Sequence, residues 1–314
     1  MAPTILIVGA TGNTGRSVVE TLPGLLAKSQ TLSNHKILAL TRSKNGAAAQ
    51  KLAQLPGVEL EEQNWVEITE KWLRERNITR IFIASHNEPL QFAEESQFLV
   101  NALQAGVKYL VRISTTTANV VPNCKVYYPR AHWAIEQMLS QPEFSEMHFS
   151  SLQPAIFQNM TVAPMVEWVK KFKETGKQDT FRTFLDPKAP IAAVDSDDVG
   201  VLAANLLCQD DTSPFNQKRL SIYGPEDVTG EQLVQLVEKH IGEKIQDVSY
   251  RDWKFLDDFL KVHPSPYLMS YLHDQAYTLW DGSSNAAATS PEVVDVAAPK
   301  GKITELLQKE LAGI

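Results

Sequence analysis

Thr4-Ile-Leu-Ile-Val8-Gly9-Ala-Thr-Gly12-Asn-Thr-Gly15 decides how the rest of the chain reads. Ile5–Val8 is a short β-branched run that stops at a glycine, and Asn13–Leu22 resumes with helical spacing. Three glycines at G-x-x-G-x-x-G spacing lie between strand and helix. The first permits a tight turn, the second lets backbone approach a pyrophosphate, and the third lets the helix pack close to the sheet. A helix that opens there offers unpaired N–H groups and a positive dipole end to an anion. Gly9, Gly12 and Gly15 therefore form the candidate phosphate turn, with Thr11, Asn13 and Thr14 as hydrogen-bonding neighbours.

The pattern repeats outward from this turn. Strands are predicted at Lys36–Thr41, Val58–Glu62, Arg80–Ala84, Tyr109–Ser114 and His148–Gln153. Helices are predicted at Ile68–Arg76, Glu88–Ala105 (capped by Gly106) and Pro129–Leu139. Near-continuous apolar strands alternating with helices predict a parallel sheet covered on both faces. The fold class is α/β, a Rossmann-type doubly wound parallel sheet with a smaller, discontinuous substrate-side region. After Pro154 the rhythm changes. Met160–Thr175, Asp197–Cys208, Glu231–Ile241 and Ile303–Leu311 read as helices, and Thr180–Leu185, Ile191–Val194 and Arg219–Tyr223 as strands. Asp281–Pro299 is poor in large apolar residues and reads as containing loop. The expected division is a nucleotide-binding domain over 1–155, with 191–224 returning to it, and a smaller substrate-binding region over most of 156–314.

The nucleotide is chosen where the second strand ends, in Leu40-Thr41-Arg42-Ser43-Lys44. A carboxylate there would bind a ribose 2′-hydroxyl; none is present, and Arg42 can fork onto a 2′-phosphate with Ser43 beside it. The expected cofactor is NADP(H). Pro23–Asn34 lengthens this unit beyond the usual spacing. Other residues expected at the cofactor edge are Asn64 after the third strand, Ser85 and His86 after the fourth, and Pro154 and Phe157 after the sixth.

Composition narrows the field. With 314 residues, 43% of them hydrophobic, the chain has ample material for a core. A net charge of −7 and no dense cationic cluster argue against nucleic-acid binding; Lys170-Lys171-Phe-Lys173 reads as a solvated helix face. Cys124 and Cys208 form no CxxC and read as reduced thiols. The seven histidines, His263 and His273 among them, show no metal spacing, and no G-x-S-x-G elbow exists. No apolar run reaches the roughly 18 residues of a membrane span. The first residues lack a signal-peptide pattern, so the expected location is the cytosol.

Four segments carry a resemblance: Gly9–Gly15, Val111-Arg-Ile-Ser114, Arg130-Ala-His-Trp-Ala-Ile-Glu136, and Leu152-Gln-Pro-Ala-Ile-Phe157-Gln-Asn159. With Asp195–Gly200 they resemble the NmrA-like branch of the atypical short-chain dehydrogenases/reductases, over roughly residues 4–225. The resemblance implies one of two activities. Isoflavone reductase-like relatives reduce small organic molecules with NADPH, while the namesake binds dinucleotide as a redox sensor and regulates a protein partner. A redox-neutral isomerase on the same scaffold is a distant third reading.

In short-chain reductases a Tyr and a Lys spaced Y-x-x-x-K face the nicotinamide; the Tyr donates a proton and the Lys lowers its pKa. This chain reads Tyr128-x-x-x-His132, so the lysine of the reductase relatives is missing. His132 can titrate near neutrality and donate a proton, or pack in the interior. Tyr128, Tyr127 and Ser114 are the other candidates at this edge, either catalytic or packing. Tyr250–Lys254 fits Y-x-x-x-K literally but lies too far along the chain. Tyr127, Phe157, Asn159 and Met160 are the candidate contacts to a small apolar carbonyl, imine or alkene substrate.

Overall fold

The computed structural model describes residues 2–314 except 255–256, 258–259, 262–265, 270 and 276; His263 lies outside the described residues. Seven strands form one parallel sheet: β1 (Thr4–Val8), β2 (Lys36–Thr41), β3 (Val58–Glu62), β4 (Ile78–Ile83), β5 (Tyr109–Ile113), β6 (His148–Pro154) and β8 (Lys218–Ile222). Their spatial order is 3-2-1-4-5-6-8, every neighbouring pair parallel. The order reverses between β1 and β4, which makes the carboxyl ends of those strands the crevice for a ligand.

Alternation within β1 shows why the sheet is buried on both faces. Ile5 and Ile7 pack with α1 (Asn13–Leu26) and α7 (Ser196–Leu207), while Leu6 and Val8 face the other side. That side is covered by α3 (Glu70–Glu75), α4 (Gln91–Ala105) and α5 (Tyr127–Leu139). Successive strand residues point to opposite faces, so one apolar run serves two layers. Gly106 ends α4 at φ 87°, the left-handed cap expected of it. A small helix, α2 (Ala47–Leu52), connects β2 to β3.

A third apolar cluster lies beyond β6. It joins α6 (Gln158–Thr175), β7 (Phe181–Arg182), α8 (Gly230–Ile241) and α10 (Ile303–Ala312). β7 pairs in parallel with β9 (Val248–Ser249). Here the sequence expectations needed most correction. Thr180–Leu185 keeps only two strand residues, and Ile191–Val194 makes isolated bridges to Val228 and Phe157 rather than a strand. Asp281–Pro299 contains loop over 281–290 as expected, and then a helix, α9 (Pro291–Ala297), which Pro291 starts and Val293 anchors in the core. α6 continues through Pro164, and α1 through Pro23. Among the described residues no helix is long and apolar enough to cross a membrane, and both cysteines are free.

Candidate functional site

The glycine turn is built by contact, backbone on backbone. Gly9 has φ +83°, and a Cβ on it would stand 2.9 Å from the Ala84 carbonyl oxygen at the end of β4. A Cβ on Gly15 would stand 2.1 Å from the Gly9 oxygen. Only glycine lets α1 start this close to the sheet. Gly12 is the N-cap of α1, no side chain caps it, and no acidic residue lies in the first turn. The unpaired N–H groups and the positive dipole end therefore face outward, beside exposed Asn13 and half-buried Thr11; Thr14 is buried. Gly200 of α7 fits against Thr14 and Ser17, which holds α1 in place from behind.

Arg42 is exposed at the end of β2 and forms no hydrogen bond or ion pair among the described residues. Ser43 turns back on Thr41: its N–H donates to Thr41 Oγ1 at 3.1 Å, and its carbonyl accepts from that hydroxyl. Glu62 at the end of β3 lies opposite Thr41 and accepts from the Lys44 N–H at 3.1 Å. Reading β2 alone missed this carboxylate because it arrives from the neighbouring strand.

Asn64 and His86 are already engaged. Asn64 caps the turn at Trp65–Glu67, accepting from Val66 and donating to Glu67. His86 pairs with Glu94 at 2.6 Å, accepts from the Glu88 N–H, and lies against Trp65 at 5.7 Å between centroids. Ser85 donates to Glu95 at 2.7 Å. These bonds fold the segment after β4 onto the start of α4, at the crevice. Tyr127 ties the same segment down by donating to the Pro89 carbonyl.

Beneath the crevice is a buried ionic network. Arg112 of β5 is fully buried and donates to Glu95 at 2.8 Å, to Ser151 at 3.2 Å and to His132 Nδ1 at 2.9 Å. Its guanidinium also lies 3.7 Å from Glu136, which accepts from Ser151, Gln153 and Arg219. Two arginines and two carboxylates balance each other. A guanidinium only donates, so His132 Nδ1 must be the unprotonated nitrogen, and Nε2–H donates to Asn87 Oδ1 at 3.3 Å. Burial, and then the neighbouring Arg112 charge, hold the imidazole well below its usual pKa. His132 is thus neutral and internal at physiological pH, unlike the imidazolium acid that the sequence allowed. The network itself escaped the sequence reading. Its signal was Arg112 in the middle of an apolar buried strand, where a charge must find a partner.

Tyr128 stands one helical turn before His132, half-buried, its ring edge-on to the imidazole at 6.1 Å. Its hydroxyl lies 3.5 Å from Thr115 Oγ1, just past the carboxyl end of β5. Ser114 is buried there, and its hydroxyl has no hydrogen-bond partner among the described residues. Pro154 ends β6, Phe157 is the half-buried N-cap of α6, and Asn159 and Met160 are exposed on its first turn. Tyr250 and Lys254 do not share a helix, so that literal motif has no shared face. Among the described residues no group of His, Cys, Asp or Glu is arranged to hold a metal.

The model of the NmrA-like family matches residues 1–278. No curated protein sequence matches the chain. Solved structures resemble it along nearly its whole length. An NADPH-dependent quinone oxidoreductase from Escherichia coli, complexed with NADPH, is 20% identical with a TM-score of 0.71, covering 98% of this chain and 99% of that one. A triphenylmethane reductase from Citrobacter sp., complexed with NADP(H), is 17% identical with a TM-score of 0.70, covering 98% and 99%. The negative transcriptional regulator NmrA is 15% identical with a TM-score of 0.68, covering 100% and 98%. These likenesses show the fold.

Proposed function

The chain belongs to the NmrA-like family, and on that premise we propose that it is an NADPH-dependent reductase of a small, largely apolar organic acceptor, acting in the cytosol. The observation that carries the proposal is the unpaired Arg42 guanidinium beside a glycine turn whose helix N-terminus is uncapped. Both are positive features at the carboxyl edge of the sheet that no acidic side chain among the described residues pairs with. Relatives of the same fold bind NADPH and NADP(H). In this reading 1–155 with 191–224 hold the nucleotide, and β8 within the main sheet supports that grouping. The rest of 156–314 forms the substrate side.

The residues present fit the nucleotide. Gly9, Gly12 and Gly15 leave room for a pyrophosphate against the open end of α1, with Thr11, Asn13 and Thr14 around it. Arg42 and Ser43 would hold the 2′-phosphate, and Glu62 would repel it unless Lys44 keeps the carboxylate turned aside. Asn64, Ser85 and His86 would line the adenine and ribose side mainly through backbone, since their side chains are engaged. Pro154 and Phe157 would lie against the nicotinamide, whose bound reduced form supplies a hydride.

Tyr128 is the proposed proton donor to the acceptor, and Ser114 the hydroxyl that orients the acceptor's polar atom. His132 is proposed as a positioning residue: it holds Asn87 through Nε2 and offers its ring face to Tyr128. Tyr127 fixes the covering segment, while Asn159 and Met160 meet the acceptor from α6. The test is a titration with NADPH, NADP+, NADH and NAD+, repeated with Arg42→Ala, followed by NADPH oxidation over quinones, imines and activated alkenes. Hydrogen bonds to a charged group contribute about 1.5–3 kcal/mol, so Arg42→Ala should cost roughly 10- to 150-fold in NADPH affinity and leave NADH unchanged. Equal loss for both nucleotides would refute the role of Arg42.

One observation favours a second reading, a nucleotide-sensing regulator with a protein partner. The lysine place is filled by a neutral, internally bonded histidine rather than by a cation. Oxidised nucleotide binding as tightly as reduced, with no turnover across the panel, would support it.

A further inference from the structure

A cleft of about 270 Å3 runs along α6 outside the nucleotide crevice. Thr161, Pro164 and Trp168 form one wall, Thr183 and Phe184 another, and Lys254 stands at its margin. Thr161 lies one helical turn past Phe157, so the cleft starts next to the proposed nicotinamide edge. It extends to Trp168, about 10 Å along the helix.

The walls are fixed before any ligand arrives. The Trp168 indole donates to the Asp179 carbonyl at 2.9 Å and stacks on Phe172 at 5.5 Å between centroids. Phe184 stacks on Trp253 at 5.1 Å. Flat, preorganised aromatic surfaces favour a flat apolar body. Two polar groups stand among them without partners among the described residues. Thr161 is 1% exposed, yet its hydroxyl has no hydrogen-bond partner among the described residues. A buried hydroxyl normally finds one, on a helix often a carbonyl one turn back. Lys254 has no ion pair among the described residues, whereas Arg182, also at the cleft, is neutralised by Asp252. Among the described lining residues, Lys254 is therefore the cation without an ionic partner.

We propose that this cleft binds the body of the acceptor, and that the acceptor class is a flat aromatic compound bearing an oxygen for Thr161 and an anionic group for Lys254. The assignment rests on the reductase reading for its chemistry, but the binding needs no nucleotide. A volume of about 270 Å3 is at the small end of ligand pockets, enough for one fused bicyclic ring.

Calorimetric titration of the full chain, without nucleotide, tests this with 2-naphthoate, 2-naphthol and 2-naphthylmethylammonium as probes. The expected result is that naphthoate binds best and the ammonium probe worst. Lys254→Gln should weaken naphthoate about tenfold and leave naphthol within about twofold. Thr161→Val should weaken both oxygen-bearing probes while raising the melting temperature, because it removes a buried unpaired hydroxyl; Thr161→Ser should restore binding. Failure of naphthoate to bind, equal binding of the cationic probe, or wild-type affinity in both Lys254→Gln and Thr161→Val would each overturn the proposal. Lys254 is exposed, so its variant tests the cleft even where a Thr161 variant folds poorly. Naphthoate binding with no affinity for NADPH would leave the cleft standing and remove the reductase reading. NADPH binding without naphthoate binding would do the reverse.

Discussion

Two glycines of the same helix should respond oppositely to the same substitution. In Gly15→Ala the new methyl would stand 2.1 Å from the Gly9 oxygen and 2.8 Å from its carbonyl carbon. Ordinary contact begins near 3.4 Å, so α1 and the turn must part by about 1.3 Å. Neither side is a flexible side chain that can step aside. Overpacking of this kind costs about 1–3 kcal/mol, against a gain of about 0.5–1 kcal/mol for replacing a helical glycine by alanine. The net is a loss of up to about 2.5 kcal/mol, or up to about 4 °C in the melting temperature of a chain this long. In Gly24→Ala nothing lies within 4 Å of the new methyl, so only the helix gain of up to about 0.5–1 kcal/mol remains. Differential scanning calorimetry reads both, and a parallel NADPH titration reads the turn itself. Gly15→Ala should weaken NADPH at least about tenfold, and Gly24→Ala should leave it unchanged. Melting shifts of the same sign, or full NADPH affinity in Gly15→Ala, would refute the claim that bare backbone contact positions this turn.

Three further outcomes follow from the network below the crevice. Arg112→Met should destabilise the fold by about 3–5 kcal/mol in denaturant unfolding, because Glu95 is left buried without its cation. His132 has a folded pKa below its unfolded value near 6.5, so below pH 6.5 the unfolded chain takes a proton that the folded chain refuses. Stability is therefore whole above that pH. It falls as pH drops from 6.5 towards the folded pKa, by up to about 1.4 kcal/mol per pH unit from this group. His35 and His240 are also lowered, by burial first, so the difference between wild type and His132→Gln isolates the contribution; curves of equal slope would contradict it. Tyr128→Phe should lower kcat roughly 10²- to 10⁴-fold with NADPH affinity retained, whereas Tyr127→Phe, which loses only a tie to Pro89, should change kcat far less; the reverse ranking would move the proton donor to Tyr127.

The parts of the fold legible in the sequence are those set by local periodicity. β1, the glycine turn and α1 share one strand period, one turn chemistry and one helix period, and each agrees with the next. β2 and β5 were readable because buried parallel strands are short apolar runs, whereas β3, an edge strand with no buried residue, gave a weaker signal. The region after Pro154 was less readable because its elements are held by tertiary contacts. Ile191–Val194 has strand composition, but Ile191 exchanges hydrogen bonds with Val228 in an antiparallel bridge, while Val194 bonds Ile156 and Gln158 in a parallel bridge opposite Phe157. The composition of 281–299 signals loop, which 281–290 supplies, but it does not signal the helix Pro291–Ala297, which a proline starts and a buried valine anchors. At the site, Arg42 could be read because its relevance depends on one strand end. Glu62 could not, since register with a neighbouring strand brings it there.

His132 shows where reading by position stops. Its place in the helix is that of a lysine, which argues for a proton-handling group facing the nicotinamide. Charge counting in the interior argues otherwise. Arg112 and Arg219 are matched by Glu95 and Glu136, so a third cation at position 132 would sit unbalanced 2.9 Å from a guanidinium. A histidine there can stay neutral and accept from Arg112, whereas a lysine can only donate. The Arg112 network and the loss of the lysine are therefore one feature seen from two sides. The double substitution Arg112→Leu with His132→Lys separates them. If the network alone excludes the cation, the double variant should fold better than His132→Lys alone, and the bell-shaped pH profile of kcat should move to lower pH as the new ammonium lowers the pKa of Tyr128. If His132→Lys by itself folds as well as wild type, the interior charge balance has no bearing on which residue occupies this position.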